Sequence, residues 1–234
     1  MKEIQDAGIQ TLEIEELRHK KLSNTGTVET RFEDVYSKLN GYGLVQFKRI
    51  AMLDADMAIL QNMDELMDVE IPPGKIAACH ACVCNPRRLS YYPSYWKSES
   101  CAYTFQSKET AHKEAKPGTF GIQELNGGLI IYEPSKEIHA KMLDAFYRLS
   151  TPDLPFAEQS LQSNVMQGEW VALPYIYNAL KTLRSCHANM WDDSVVKNVH
   201  YILNKPWDDK PGDKVDPTHK WWWEIEHERL GINN

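Results

Sequence analysis

The chain has 234 residues, of which 42% are hydrophobic and 25% are charged, a composition typical of a globular protein that buries a substantial core. Its net charge of −7 argues against a nucleic-acid partner, and the sequence lacks the run of about 18 apolar residues that a membrane-spanning helix needs. The N-terminus lacks the apolar segment of a signal peptide, and the cysteines number five. We therefore expect a single domain over 1–234, with reduced thiols, in the cytoplasm and away from membranes.

Hydrophobic periodicity and turn residues predict strands that alternate with helices, which favours an α/β sheet. The N-terminal segment is predicted to hold the end of a helix and a short strand at 9–12, and 17–30 to form a polar loop. The residues from 204 onward are rich in Pro, Asp and Trp, and 208–234 form a C-terminal tail. Between loop and tail, the predicted elements are a helix at 31–40, a strand at 50–53, a short helix at 64–67, a strand at 75–84, an aromatic loop at 85–118, a strand at 125–132, helices at 135–149 and 158–166, a strand at 170–177 broken by Pro174, and a strand at 195–202.

The most informative segment is the apolar run at 50–53, which ends in Asp54 and Asp56 with one small residue between them. The run is typical of a buried strand, so both carboxylates lie where that strand emerges. Charge at the mouth of a core needs compensation, and a hard divalent cation supplies it while also holding a diphosphate. The pattern suggests a metal-dependent nucleotide-sugar enzyme, with a surface turn or a helix cap as the alternative.

Two later motifs suit the same kind of site. Asn126-Gly127-Gly128 opens a strand, where glycines allow close approach of the backbone to a ligand or, alternatively, form a bulge. Glu158 and Gln159 begin a helix, and an acidic residue is favoured at a helix N-terminus for purely structural reasons as well. Each motif is therefore a candidate for the site only in combination with the other motifs of the sequence.

A histidine and two lysines complete the candidate set. His200 lies in the last predicted strand, where it is either a metal ligand or a structural residue. Lys205 follows that strand, and Lys38 lies on the helix before the aspartates. Each lysine either neutralises a phosphate or is a solvated surface residue.

In their order and spacing, these features resemble glycosyltransferase family 8. The resemblance runs from about residue 31 to residue 207. The Tyr-Ser-Lys-Leu segment at 36–39 and the strand into the aspartates resemble the family's lysine helix and metal motif. Asn-Gly-Gly at 126–128, the acid-Gln pair at 158–159 and His…Lys-Pro-Trp at 200–207 resemble its later motifs.

The resemblance implies a GT-A type fold, a Rossmann-like mixed sheet flanked by helices, without its first strand-helix units, because the chain begins roughly 60 residues into the family pattern. It implies a retaining transfer of galactose or glucose from a UDP-sugar to a hydroxyl group, dependent on Mn²⁺. The expected partners are the UDP-sugar and a small polyol or saccharide acceptor, with a homodimer as one option. The implied residues are Asp54, Asp56 and His200 for the metal, Lys38, Asn126, Gly127, Gly128 and Lys205 for substrate, and Glu158 and Gln159 for catalysis.

Two positions depart from the family pattern. Glu158 stands where the family usually has Asp, and the interval from His200 to Lys205 is slightly short and lacks a glycine. A glycogenin-like, self-glucosylating protein is the alternative activity. A non-catalytic remnant that no longer binds the nucleotide is the alternative class.

The strand end at Cys82 and Cys84, with the aromatic loop to Cys101, resembles the galactinol synthase branch of the family. His80 nearby raises the option of a second metal. No second cysteine pair lies at zinc-site spacing, which favours structural thiols. The tryptophan run at 221–223 covers an acceptor, docks a partner or packs against the core.

Overall fold

The computed structural model describes residues 2–18, 35–90, 92–115, 123–149, 154, 156–209 and 215–232. No helix in these ranges is both long and apolar enough to cross a membrane. The strands in them are β1 (Ile50–Leu53), β2 (Met57–Ile59), β3 (Ile76–His80), β4 (Leu125–Tyr132), β5 (Trp170–Ala172), β6 (Ala179–Leu180) and β7 (Asn198–His200). The α-helices are α1 (Lys2–Asp6), α2 (Lys136–Arg148), α3 (Ala157–Val165), α4 (Leu183–Cys186) and α5 (His219–Leu230). 3₁₀-helices cover Val35–Gly43, Asp64–Asp68, Ser98–Ser100, Ala102–Phe105, Tyr175–Tyr177, Asp193–Val195 and Pro206–Asp208.

The described strands form two mixed sheets. In the larger sheet the order is β1-β4-β3-β5, and β3 and β5 are its parallel pair. In the smaller sheet the order is β2-β7-β6, and β6 and β7 are parallel. β1 ends at Leu53 and β2 begins at Met57, so the segment 54–56 carries the chain from one sheet to the other.

β4 is a central strand of the larger sheet, and every one of its residues is buried. Ile130 and Tyr132 belong to the hydrophobic cluster that includes α2 and α3, whereas Leu129 and Ile131 belong to a second cluster around Leu66. A strand that is covered on both faces has to be apolar throughout, which explains the continuous apolar run at the end of β4.

α2 packs the lysine-bearing segment Val35–Gly43 against the sheet. The Ser135 side chain accepts a hydrogen bond from the Ile138 backbone N–H and caps the helix. Ile138, Met142 and Phe146 recur at helical spacing and are buried, and the Phe146 ring lies 5.0 Å from that of Tyr36. The apolar stripe of α2 thereby fixes the position of the segment that carries Lys38.

Most predicted elements are confirmed, several with shorter bounds. The strands at 50–53 and 125–132 are present as predicted. The strand predicted at 75–84 ends at His80, and the one predicted at 195–202 is reduced to β7. The segment predicted as a broken strand at 170–177 forms β5 and then, after Pro174, a 3₁₀-helix.

Two predictions of local structure are wrong. The segment 9–12 forms no strand; its Ile9 and Leu12 are exposed and pair with no described strand. The helix predicted at 31–40 is a 3₁₀-helix from Val35 onward, and 31–34 lie outside the described residues. A Cβ atom on Gly41 would lie 2.4 Å from the Tyr132 hydroxyl oxygen, so this backbone packs directly on the sheet. Of the predicted polar loop at 17–30, only residues 17–18 are among the described residues. Tyr91 and 116–118 of the predicted aromatic loop also lie outside the described residues.

The C-terminal segment contains α5, which the sequence pattern did not indicate. Trp221 and Trp222 pack against the core, and the Trp222 ring lies 5.3 Å from that of Trp207. Trp223 is 39% exposed. Burial against the core therefore accounts for two of the three consecutive tryptophans.

Replacement of Phe146 by alanine should lower the free energy of unfolding by about 3–5 kcal/mol, because the side chain is fully buried and leaves a cavity. The neighbouring Tyr147 is 62% exposed, so Tyr147→Ala is a matched control that should change stability by only about 0.5 kcal/mol. Urea unfolding followed by circular dichroism measures both. Equal losses in the two variants would contradict the packing of α2 described here.

Candidate active site

Asp54 and Asp56 lie where the two sheets meet. The Asp54 backbone N–H donates to the Gly128 carbonyl oxygen at 2.8 Å, and the Asp56 carbonyl oxygen accepts from the Tyr201 N–H at 2.9 Å. Both aspartates are thus held by main-chain bonds to a neighbouring strand or its extension. Their side chains are only partly exposed, and ligand atoms from both come within 4.8 Å of the His200 ring nitrogen and of each other.

His200 is the last residue of β7 and is buried beside the two carboxylates. Its Nε2 lies 3.1 Å from Asp56 Oδ1 and 3.8 Å from Asp54 Oδ2. Its Nδ1 lies 2.9 Å from Asn178 Oδ1. The tautomer of this imidazole decides whether Nε2 directs an N–H group or a lone pair at the carboxylates.

A chain of amide hydrogen bonds determines that tautomer. The Gly128 backbone N–H can only donate, and it donates to Asn126 Oδ1 at 3.0 Å. The same oxygen accepts from Asn178 Nδ2 at 2.8 Å, so Asn178 presents its oxygen to His200 Nδ1. Nδ1 therefore carries a proton, and in the neutral ring the Nε2 lone pair faces two carboxylate oxygens. Such an arrangement needs a cation between the three atoms or a second proton on the ring.

Two lysines bind the outer oxygens of the aspartates. Lys38 Nζ donates to Asp54 Oδ1 and, at 3.2 Å, to Glu158 Oε1. Lys205 Nζ donates to Asp56 Oδ2 and, at 2.8 Å, to the Tyr201 carbonyl oxygen. Each aspartate thus uses one oxygen for a lysine and turns the other toward His200.

These contacts shift the pKa values of two groups. Burial lowers the pKa of Lys38, but the charges of Glu158 and Asp54 outweigh it and hold the pKa above its ordinary value. Burial raises the pKa of Asp56, but the hydrogen bonds that a doubly protonated His200 and Lys205 donate outweigh it and hold the pKa well below its usual range. Both groups are therefore charged at neutral pH.

Glu158 and Gln159 lie in the first turn of α3, which faces Lys38 and β4. Burial raises the pKa of the Glu158 carboxyl, and the charge of Lys38 lowers it in part. Gln159 Oε1 accepts from Asn126 Nδ2 at 3.0 Å and from the Gly127 N–H at 3.1 Å. The start of α3 is thereby tied to β4 through side-chain and main-chain bonds.

Gly128 is required by the approach of His200. A Cβ atom at this position would lie 2.3 Å from His200 Cε1 and 2.6 Å from Nδ1, which no side chain tolerates. A Cβ atom on Gly127 would meet Gln159 Cβ at 3.3 Å, a milder contact. The second glycine therefore allows the histidine ring to reach the carboxylates.

All ten residues singled out from the sequence line one pocket of about 360 Å³. One wall of this pocket is polar and carries the three carboxylates and two lysines described above. The other wall is aromatic: the Trp96 and Phe156 rings stack at 4.4 Å, and Tyr92 meets both edge-on at 5.2 and 4.9 Å. A site that combines a charged floor with an aromatic side suits a ligand with both phosphate and carbohydrate parts.

Comparison with known families identifies the chain. The sequence model described as Glycosyl transferase family 8 matches residues 4–211, which is most of the chain. The chain belongs to glycosyltransferase family 8.

Its curated relatives in this family include galactinol synthases. Galactinol synthase 2 of Ajuga reptans is 29% identical over 174 residues, covering 74% of this chain and 56% of the relative. Galactinol synthase 2 of Solanum lycopersicum is 27% identical over 208 residues, covering 85% of this chain and 59% of the relative. This family 8 chain therefore spans less than two thirds of the length of these relatives.

Solved structures show that the family 8 chain has a GT-A fold. The galactosyltransferase LgtC, in complex with donor and acceptor sugar analogs, superposes with a TM-score of 0.57 at 15% identity, covering 88% of this chain and 69% of LgtC. The glycosyltransferase GlyE of Streptococcus pneumoniae TIGR4 superposes with a TM-score of 0.56 at 14% identity, covering 89% of this chain and 49% of GlyE. At this level of identity the likeness concerns the fold.

Sequence reasoning missed Asn178, the residue that orients His200. Asn178 lies between a 3₁₀-helix and β6, in a segment with no motif. Only its spatial position between Asn126 and His200 reveals its part in the site. His80, which the sequence raised only as an option beside Cys82 and Cys84, packs its ring on Trp170 and is not part of the group of ligand atoms that these cysteines form.

Gly128→Ala should displace the His200 ring and lower the free energy of unfolding by about 1–3 kcal/mol, because the added methyl group overlaps the imidazole. Gly127→Ala is the matched control and should lower the free energy of unfolding by less. Denaturant unfolding measures the stability, and NMR of ¹⁵N-labelled histidine reports the ring. An unshifted His200 signal in a fully stable Gly128→Ala variant would contradict this geometry.

Proposed function

We propose that this family 8 chain transfers a hexose, with retention of configuration, from a UDP-sugar to a small polyol, and that it requires Mn²⁺. The observation that carries the proposal is the convergence of Asp54 Oδ2, Asp56 Oδ1 and His200 Nε2 at the floor of a pocket that also holds two lysines. The similarity to galactinol synthases and to a galactosyltransferase supports a hexose donor and a hydroxyl acceptor.

The three ligand atoms fit a divalent metal ion. Carboxylate oxygens and a neutral imidazole are ligands that suit Mn²⁺. The two aspartates would bind through the oxygens that the lysines do not use, so metal binding need not disrupt the contacts of Lys38 and Lys205. Asn178 would hold the imidazole with its Nε2 lone pair directed at the ion, as residues behind metal-bound histidines commonly do.

The charge balance of the pocket also favours a cation. Asp54, Asp56 and Glu158 place three acidic groups against the two lysines of the floor. A diphosphate would be repelled from such a floor unless a divalent ion reversed its sign. When bound, Mn²⁺ would stabilise the negative charge that develops on the leaving UDP. Lys38 and Lys205 add positive charge from two sides.

The chain's own residues would orient the sugar. The Asn126-Gly127-Gly128 strand lines the pocket, where its backbone and the Asn126 side chain would face the sugar. Glu158 and Gln159 face this strand from α3, where they would support charge at the anomeric carbon or orient the acceptor. Their fixed hydrogen bonds to β4 and to Lys38 keep them in one position during the reaction.

The aromatic wall supports an acceptor that is a polyol or a saccharide. Rings of Tyr92, Trp96 and Phe156 present flat apolar faces beside a polar floor. The C–H faces of a cyclic polyol pack on such rings while its hydroxyl groups reach the polar side. Inositol is the polyol that this proposal tests first.

Calorimetric titration of UDP tests the donor site. Binding should depend on Mn²⁺ in the wild-type chain and weaken at least about tenfold in Asp54→Asn and Asp56→Asn, because each substitution removes a charged ligand. Asp68→Asn, which changes an exposed aspartate at the end of the 3₁₀-helix Asp64–Asp68 and outside the pocket, is the matched control and should bind as the wild type does. Absence of binding in a folded wild-type sample, with or without manganese, would refute the proposal.

Turnover provides the second test. The chain should release UDP and form a hexosyl-inositol product from UDP-galactose or UDP-glucose, detected by mass spectrometry. Asp54→Ala and Asp56→Ala should each lower kcat at least about 100-fold, because the leaving group loses its charge stabilisation. Full activity in either variant, or hexose found only on the protein itself, would rule out this assignment.

A further inference from the structure

A second group of metal-ligand side chains lies beside the pocket. It comprises Cys82, Cys84, Cys101 and His187, and their ligand atoms all lie within 4.8 Å of one another. Cys82 and Cys84 follow β3, Cys101 lies between two 3₁₀-helices, and His187 follows α4. Cys82 and Cys84 are neighbours in the sequence, but His187 lies 103 residues beyond Cys84, and the fold brings it to them.

The distances from His187 to the three sulfur atoms are compatible with a tetrahedral metal site. His187 Nε2 lies 3.9, 3.1 and 3.4 Å from the sulfur atoms of Cys82, Cys84 and Cys101. Four tetrahedral ligands with zinc–sulfur and zinc–nitrogen bonds of ordinary length place nitrogen and sulfur about 3.6 Å apart. The three observed distances scatter around that value, so an ion fits between the four atoms with little movement.

We propose that Cys82, Cys84, Cys101 and His187 bind a structural Zn²⁺ ion. Three thiolates and one imidazole form one of the common closed zinc sites, and soft thiolates disfavour the harder ions that suit the aspartates. This site shares no ligand with the candidate active site, although Cys82 also lines the pocket of that site. It does not depend on the function proposed above.

The surroundings favour a metal over ordinary thiols. His187, Cys82 and Cys101 are buried within a hydrophobic cluster that includes Trp96 and Tyr103, where polar groups need strong partners. All the cysteines are free, and the three thiols surround one imidazole nitrogen instead of forming a pair. A disulfide would join only two of the three sulfur atoms, so it would not account for the approach of all three to His187.

The position of the site explains what the ion would do. The described part of 81–115 contains only short 3₁₀-helices and turns, so few backbone bonds hold it. Zinc would join this segment at Cys84 and Cys101 to the end of α4 at His187. Binding energy of this kind contributes directly to folding. The same segment carries Tyr92 and Trp96, so the ion would also hold the aromatic wall in place.

A fifth thiol, Cys186, lies against Cys82 and Cys84 and is the competing fourth ligand. His187 is favoured because its Nε2 approaches all three other sulfurs, whereas Cys186 lies outside the set of four atoms that are mutually close. The experiment below distinguishes the two residues.

The test is the zinc content of the full chain, purified under reducing conditions and dialysed against a weak chelator, then measured by inductively coupled plasma mass spectrometry. We expect about one zinc ion per chain, and a loss of at least tenfold in Cys84→Ser and in His187→Ala. Cys186→Ser should retain the ion. Retention in His187→Ala with loss in Cys186→Ser would overturn the ligand assignment.

Two controls locate the ion. Cys79→Ser changes another buried cysteine, whose thiol donates to the Pro174 carbonyl oxygen as a serine hydroxyl also can, and it should retain zinc. Asp54→Asn should retain zinc as well, because the aspartates belong to the other site. Loss of zinc in Asp54→Asn, or a zinc-free wild-type chain, would overturn the proposal.

The wild-type chain alone gives a readout if the variants do not fold. Cobalt exchanged into the site should show thiolate-to-metal charge-transfer absorption and the strong visible bands of a tetrahedral centre. Removal of the ion by a strong chelator should lower the melting temperature by roughly 10 °C. A cobalt spectrum without charge-transfer bands, or an unchanged melting temperature, would contradict a structural zinc site. None of these readouts uses glycosyl transfer, so they stand or fail separately from the proposed activity.

Discussion

Charge compensation at the junction of the two sheets is the constraint on which the rest of the site depends. Asp54 and Asp56 lie against the hydrophobic core, where a carboxylate without a partner is costly. Lys38 and Lys205 each bind one oxygen of one aspartate, and the second oxygens converge on His200. The arrangement needs either a cation between these oxygens and the imidazole or a second proton on the ring. The fold around it serves to bring four separate chain segments to that point.

The rigidity of β4 makes this convergence possible. Its buried residues fix the backbone of the Asn126-Gly127-Gly128 motif, and the missing side chain at Gly128 makes room for the His200 ring. The same motif supplies the oxygen that starts the amide chain through Asn178 to His200. One short segment therefore sets both the position and the tautomer of the histidine, and it also anchors Gln159 at the start of α3.

The two candidate metal sites differ in their donor atoms, which are hard in one site and softer in the other. The aspartates and His200 offer oxygen and nitrogen at the open floor of the pocket, as an ion that meets substrate requires. The cysteines and His187 offer sulfur and nitrogen in a mostly buried position, as a structural ion requires. Cys82 connects them, because it lines the pocket and belongs to the thiol cluster. The irregular segment after β3 would then be ordered by the second ion so that it can shape the first site.

The sequence by itself determined the features that depend on the residue pattern of a single element. The apolar run before Asp54, the amphipathic stripe of α2 and the glycine pair on β4 each have a pattern that one element explains, and together they indicated the family and its fold. The lysines, His200 and the acid-Gln pair were found because the family motifs mark them. Only the tertiary structure decided the parts that depend on contacts between distant segments. Asn178 and His187 carry no local signal, since the partners of Asn178 lie 22 and 52 residues away along the chain and those of His187 lie 86 to 105 residues away. Likewise the sequence does not reveal that Val35–Gly43 is a 3₁₀-helix or that its Gly41 packs against Tyr132, because tertiary contacts can outweigh local helix preference.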